Sequence, residues 1–346
     1  MATKQFPRRS FSPCNDSAVV MIPQSRVLES RGILFARISR SGRGTISGCD
    51  CRLLERWRCP LLVCVFAFYN RGMFQLRCTV RDCQQLLEQR ERELVCRADH
   101  RFDRAKQGYW NLLQPQDKKS KNPGDSEDAV LARHRWLQHG HATSLIETLR
   151  PWFAANGPET NQRTLDLGCG EGSFGPALFS TEADSYCGID LSKRAIKLAA
   201  RGWPEATWVL ANADRVLPAA DQSVHRVISL FGRRPISEIH RVLVPGGICV
   251  VAVPGEDDLI ELREQVQQTG QRRSRWEVIA DDMRLAGMEV IDQKHWHSNV
   301  KLEPDAIADA LAMTYRAVRH SQKSRLDAVQ AMHVTLAADL LLLRRN

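Results

Sequence analysis

The stretch LDLGCGEGSF, residues 165–174, decides how the rest of the chain is read. An apolar run ends at Leu167, and glycines follow at alternate positions, Gly168, Gly170 and Gly172, before the chain turns helical. Glycines between a strand and a helix let a ligand approach the backbone at the carboxyl edge of a sheet. Their spacing is G-x-G-x-G, whereas a dinucleotide pocket cradles its pyrophosphate with G-x-G-x-x-G. A nucleoside without phosphate, S-adenosylmethionine, fits this spacing better.

Working outward, Asp190 ends the run SYCGID twenty positions after Gly170, where a carboxylate can accept hydrogen bonds from both ribose hydroxyls. The loop ANADRVLP at 211–218 follows the next apolar run, so Asn212 or Asp214 can reach the adenine amino group. TLDLG, SYCGID, TWVLA, RVISLF and ICVVAVP are strand-like and alternate with polar or helical segments such as LSKRAIKLAAR and ISEIHRVL. MEVIDQKHW and DLLLLRR supply two more strands. That alternation predicts an α/β fold, a doubly wound, mostly parallel sheet of seven strands with helices on both faces. Three loops in register identify it as the class I methyltransferase kind, over residues 129–346, entered through helical AVLARHRWLQHGHATSLIETLRPWF at 129–153.

A second pattern lies ahead of this domain in CTVRDCQQLLEQRERELVCRADH, residues 78–100. Cys78 and Cys83 form C-x4-C, and Cys96 and His100 form C-x3-H, twelve residues further on. Two short chelating turns of thiolate and imidazole close a tetrahedron around zinc. The alternative is ordinary thiols and a surface histidine. Residues 73–106 form a compact module too poor in apolar residues to fold around its own core, so zinc would supply the missing stability. Cys14, Cys49, Cys51, Cys59 and Cys64 have no histidine nearby and read as incidental.

Composition sets the limits. In 346 residues, 43% are hydrophobic and 26% charged, enough to fill a core and solvate a surface. The apolar run PLLVCVFAFY at 60–69 falls well short of the roughly 20 residues needed to span a bilayer. Eleven cysteines, an odd number, favour free thiols in a reducing cytoplasm. Residues 1–72 carry 12 Lys+Arg against 4 Asp+Glu, and the remainder is nearly balanced at 37 against 36. This first segment reads as disordered, with an over-long translation start ahead of Met73, a functional tail and a targeting peptide as the three explanations.

Residues 107–128, with QGYWNLLQPQDKKSKNPGDSE, read as a basic linker. Its Lys118, Lys119 and Lys121, together with Arg272, Arg273 and Arg275 of QRRSR and the run RHSQKSR at 319–325, offer phosphate contacts or are simply solvated faces. Trp110 can stack on a base or pack in a core.

CRADHRFDRAKQGYWNLL, NPGDSEDAVLARHRWLQHGH and LDLGCGEG resemble, in that order, the zinc-containing bacterial 23S ribosomal RNA guanine-N1-methyltransferases, over about residues 76–319. The resemblance implies methyl transfer from S-adenosylmethionine to N1 of one guanine in a hairpin of 23S ribosomal RNA, with a zinc module helping to hold the RNA. It implies Cys78, Cys83, Cys96 and His100 as ligands and Gly170 and Glu171 at the cofactor; Leu191, His141 and Asp258 are further candidates for the cofactor site. Several positions depart from the family pattern. The first chelating turn is C-x4-C, not C-x2-C; Ala142 follows Gly-His where an aromatic is usual; Asp258 stands where the family can place a histidine; and FGRRP at 231–235 replaces aromatic-Ala-Pro. No general base is assigned: Asp214 and His141 are candidates, against adenine binding for the one and helix capping for the other. Methylation of a small molecule and RNA binding without catalysis are the competing functions. A homodimer is left open.

Overall fold

A computed structural model describes residues 74–117, 124–155, 162–182, 185–214, 216–267, 274–314 and 330–346. Expectations attached to residues 1–72, Lys118, Lys119, Lys121, Arg272, Arg273 and 319–325 lie outside the described residues.

Three short antiparallel strands, β1 (Leu87–Arg90), β2 (Glu93–Cys96) and β3 (Arg101–Asp103), make a ribbon in that order. After them come β4 (Trp110–Asn111) and the helices α1 (Glu127–Gln138) and α2 (Thr143–Ala155). The alternating region supplies β5 (Thr164–Leu167), α3 (Phe174–Phe179), β6 (Tyr186–Asp190), α4 (Lys193–Gly202) and β7 (Thr207–Leu210). It continues through β8 (Val224–Leu230), α5 (Ile236–Val242) and β9 (Leu243–Pro254). The chain closes with α6 (Ile260–Gln267), α7 (Trp276–Leu285), β10 (Met288–Leu302), α8 (Pro304–Thr314) and β11 (Met332–Arg345).

Eight strands form one sheet in the order β10-β11-β9-β8-β5-β6-β7-β4. All pairings from β9 to β4 are parallel, and β11 alone runs against its neighbours. The strand order reverses between β5 and β8, and in such sheets a ligand crevice opens beyond the carboxyl ends of the strands at that reversal. Every residue of β5 is buried, as expected of a strand covered on both faces. Ser192 caps α4 by accepting the Ala195 N–H, and Ala195, Ile196, Ala199 and Ala200 form the stripe that the helix buries.

The seventh strand expected from the sequence is joined by an eighth, β4, drawn from the segment read as a linker. Trp110 and Asn111 pair with Val209 and Leu210 of β7. Apolar burial decides this against the proline and lysine content, because Tyr109, Trp110 and Leu112 are all buried. Trp110 is therefore a core residue under the Arg104 guanidinium, not a stacking platform for RNA. The segment also ends early: Ser126 caps α1, which begins at Glu127.

The ribbon docks on the sheet. Phe74, Leu76, Cys78, Leu94, Cys96 and Phe102 share one buried cluster with Val209, Leu217 and Ala219. The Arg77 N–H donates to Pro218 at 3.2 Å, the Ala220 N–H to Gln75 at 3.0 Å, and the Arg77 side chain pairs with Asp221 at 2.8 Å. At the opposite edge, β10 and β11 run past the end of β9 and pack with Leu259, Leu262, Ile307, Leu311 and Trp136. Arg135 ties α1 to α8 by donating to both oxygens of the buried Asp309 at 3.1 Å. Among the described residues, no helix is long and apolar enough to cross a membrane.

Candidate functional site

The four residues of the two chelating turns converge, with their ligand atoms all within 4.8 Å of one another. Cys78 Sγ lies 3.5 Å from His100 Nδ1, Cys96 Sγ 3.4 Å from the same nitrogen, and Cys83 Sγ 3.7 Å from Cys96 Sγ. A tetrahedron with zinc–sulfur bonds of about 2.3 Å and a zinc–nitrogen bond of about 2.0 Å has edges of roughly 3.5–3.8 Å, so both donor set and spacing fit zinc. The thiols are free, not joined in a disulfide. Burial pushes the Cys78 thiol up to about 12. A group so hard to ionise by itself gives up its proton when a bound dication takes its place.

The backbone explains how the longer first turn still closes. Asp82 (φ 65°) and Gln84 (φ 46°) adopt the left-handed region, and the Cys83 N–H returns to the Val80 carbonyl at 3.1 Å. The second turn uses Asp99 (φ 60°), whose N–H donates to Cys96 at 2.9 Å.

A cleft of ≈ 690 Å³ opens at the carboxyl ends of β5, β6, β7, β8 and β9, a volume typical of sites that enclose a small molecule. Of the residues expected there, Gly168, Gly170, Glu171, Asp190, Leu191, Asn212 and Asp214 line it. The carboxylate of Asp190 is fixed by two backbone donors, Gly170 N–H to Oδ2 at 2.9 Å and Ser192 N–H to Oδ1 at 2.7 Å. Each oxygen keeps acceptor capacity for a hydroxyl. Burial raises its pKa, and the Ser192 and Gly170 amides work against that rise. Gly168 (φ 72°) lies in the left-handed region, and a Cβ there would come within 3.2 Å of Gly232 Cα, where the loops after β5 and β8 meet.

Other expected residues serve differently. Gly172 is absent from the lining: a Cβ there would meet the Trp208 ring at 2.7 Å and Ala199 Cβ at 2.8 Å, so it lets the loop pack on β7 and α4. The Glu171 carboxylate, 2% exposed, accepts from the Ser173 hydroxyl at 2.8 Å and meets His134 Nδ1 at 3.0 Å, anchoring α1 to the glycine loop. Asn212 Oδ1 accepts the Asp214 N–H at 2.9 Å, which closes the loop after β7 and leaves the Asp214 carboxylate half exposed.

Two expected residues stand outside the lining. His141 does not line the cleft; its ring packs on Trp136, centroids 4.2 Å apart, and burial lowers its pKa. Asp258 is also outside the lining, held by the Ala337 N–H at 3.0 Å, with burial pushing its pKa up to about 6.

Sequence reasoning missed several lining residues, among them Arg133, Asp125, Phe231, Arg233 and Arg234. Arg133 pairs with Asp125 at 2.8 Å, and its Nη1 lies 3.5 Å from where a Cβ on Gly170 would stand. Both occur in the NPGDSEDAVLAR stretch, whose chemistry appears only when α1 folds over the glycine loop. Phe231 (φ 61°) and Arg233 and Arg234 follow β8, and the Phe231 ring is 46% exposed at the mouth. The signal was FGRRP itself, an aromatic and two cations directly after a strand.

Comparison with known proteins agrees with this layout. Residues 76–121 match the zinc-ribbon family described as "RlmA, N-terminal", and residues 164–247 match the family described as "Methyltransferase domain". A 23S rRNA (guanine(748)-N(1))-methyltransferase of Streptomyces fradiae is 31% identical over 243 residues, covering 69% of this chain and 84% of that relative. YxjB of Bacillus subtilis (strain 168), provisionally named a 23S rRNA (guanine-N(1)-)-methyltransferase, is 29% identical over 233 residues, covering 62% of this chain and 80% of its own. The methyl donor of such a fold is S-adenosylmethionine and the ion of such a ribbon is zinc, matching the cleft and the Cys/His quartet. A ribbon followed by a methyltransferase sheet, in a chain this similar to the Streptomyces fradiae enzyme over most of its length, makes this protein a member of the zinc-ribbon 23S rRNA (guanine-N1)-methyltransferase family.

Proposed function

We propose that the protein transfers a methyl group from S-adenosylmethionine to N1 of one guanine in a hairpin of 23S ribosomal RNA. The observation that carries this reading is a donor cleft whose mouth exposes Phe231, on the same body as a Cys₃His ribbon docked against the loop after β7. Bound S-adenosylmethionine supplies an electrophilic sulfonium methyl group.

The protein's own residues then hold and orient. Asp190 takes the ribose hydroxyls, the loop of Asn212 and Asp214 takes the adenine edge, and Gly168 and Gly170 allow close approach to the backbone. Alignment of acceptor and methyl group provides most of the acceleration in such a displacement. Guanine N1 is protonated and paired in a duplex, so the base must leave its stack to react. Phe231 gives the extruded base a ring to lie on. Of the two proton acceptors considered, Asp214 lines the cleft and His141 does not. Asp214→Asn separates two roles: a shifted pH profile with intact donor affinity marks proton removal, and weakened donor affinity marks adenine binding. The reading puts the protein in the cytoplasm with its RNA, in keeping with the free thiols described.

The test is to incubate the protein with labelled S-adenosylmethionine and unmodified 23S RNA and map the modified position by reverse transcription, which stops at a guanine methylated on its pairing edge. A single stop in a hairpin, with label in the RNA, is the expected result. Label on small molecules only, or on another atom of the base, would contradict the reading.

A further inference from the structure

Charge divides the cleft in two. Asp190 is held by the glycine loop, where a sulfonium cation is favoured, while Arg233, Arg234 and Arg275 line the cleft after β8 and at the start of α7. Among the described residues, only Asp214 offers any of these arginines a carboxylate, 3.6 Å from Arg233 Nε. Arg234 donates to the Gly232 carbonyl at 2.8 Å, and no acid pairs with it or with Arg275 among those residues. Burial lowers the pKa of Arg234; the adjacent Cys249 opposes this, and the charges of Arg233 and Arg275 add to it. Three guanidinium groups thus line one cleft with a single carboxylate paired to them, an arrangement that a bound anion relieves.

We propose that Arg233, Arg234 and Arg275 clamp the backbone phosphate of the acceptor nucleotide as its base enters the cleft. This rests on the RNA reading given above and adds the part of the substrate that the site grips. A phosphodiester suits the geometry because guanidinium groups bind its oxygens in pairs and stay charged when partly buried. Position suits it too, since the arginines line the same cleft as Phe231, and a base lying on that ring carries its phosphate one sugar away. A different cation, Arg133 over Gly170, would be available to the carboxylate of a bound donor.

The test uses full-length, zinc-loaded protein and the double variant Arg233→Gln/Arg275→Gln, whose side chains are exposed and do not support the fold. Three quantities are read: KM for 23S RNA, the salt dependence of RNA binding by fluorescence anisotropy, and affinity for S-adenosylhomocysteine by calorimetry. KM should rise about tenfold or more and the log–log salt slope should become shallower by roughly 0.7 to 0.9, one phosphate contact's worth, with donor affinity unchanged. A fall in donor affinity with RNA binding intact would assign the arginines to the donor carboxylate and overturn the clamp. An unchanged salt slope would overturn it as well. If wild-type protein labels no RNA, the proposed function fails, while the anisotropy still decides the clamp.

Discussion

Within the ribbon, β1 buries none of its residues fully and β3 only Phe102, whereas β5 buries all of its own and β8 all but one. The sheet is ordered by apolar burial, and the ribbon by an ion-sized cluster of four side chains plus a single face lent to the sheet's core. Order in the two regions should therefore fail under different conditions. The sheet provides the edge on which a donor can be fixed.

Stripping zinc, or Cys96→Ser, should have the largest effect, because apparent zinc affinities of such clusters correspond to about 10–16 kcal/mol. Hydrogen exchange should accelerate throughout 74–106 and leave 164–254 protected; unaltered protection of the ribbon would break the comparison.

The next effect lies wholly within the sheet. Asp166, buried on β5 and accepting the Tyr186 hydroxyl at 2.5 Å, has its pKa pushed up to about 7 by burial. The folded state then keeps a proton that the unfolded chain has released, so this group's stabilisation is full below about pH 4 and is lost as pH rises to about 7. The decline is at most on the order of 4 kcal/mol, and Asp166→Asn should flatten it. An unchanged pH–stability curve in that variant would exclude Asp166 as its source.

Asp190→Asn should weaken S-adenosylhomocysteine binding by about 1.5–3 kcal/mol, the range for hydrogen bonds to a charged group, without changing zinc content. Equal affinity in calorimetry would remove Asp190 from the donor site. Smallest of the four, Phe231→Ala should raise the KM for RNA by an amount corresponding to about 1–3 kcal/mol of stacking, with donor affinity intact. A purely structural Phe231 would instead lower thermal stability and leave KM alone.

Much of this was legible in the residues, for physical reasons. Strands buried on both faces are continuous apolar runs, so TLDLG, SYCGID and ICVVAVP announce themselves, and ligand spacing within a short turn survives as a sequence pattern. Gly168, Gly170 and Asp190 were readable because loops after adjacent parallel strands gather at one edge. What failed depended on contacts distant in sequence. A two-residue strand such as β4 has no period, and only β7 makes Trp110 part of a sheet. His141 and Asp258 stand outside the lining, beside Trp136 and the Ala337 N–H, contacts that no local pattern in the sequence announces. The polar half of β10, HSNVKL, carries no strand signal strong enough to reveal that the last hairpin extends beyond β9.

The division of labour itself is tested by assaying zinc-loaded and zinc-stripped protein side by side, for S-adenosylhomocysteine binding and for methyl transfer to 23S RNA in the same samples. Stripped protein should bind the donor product normally and transfer no methyl group to RNA. Transfer at an undiminished rate after complete loss of zinc would contradict the account.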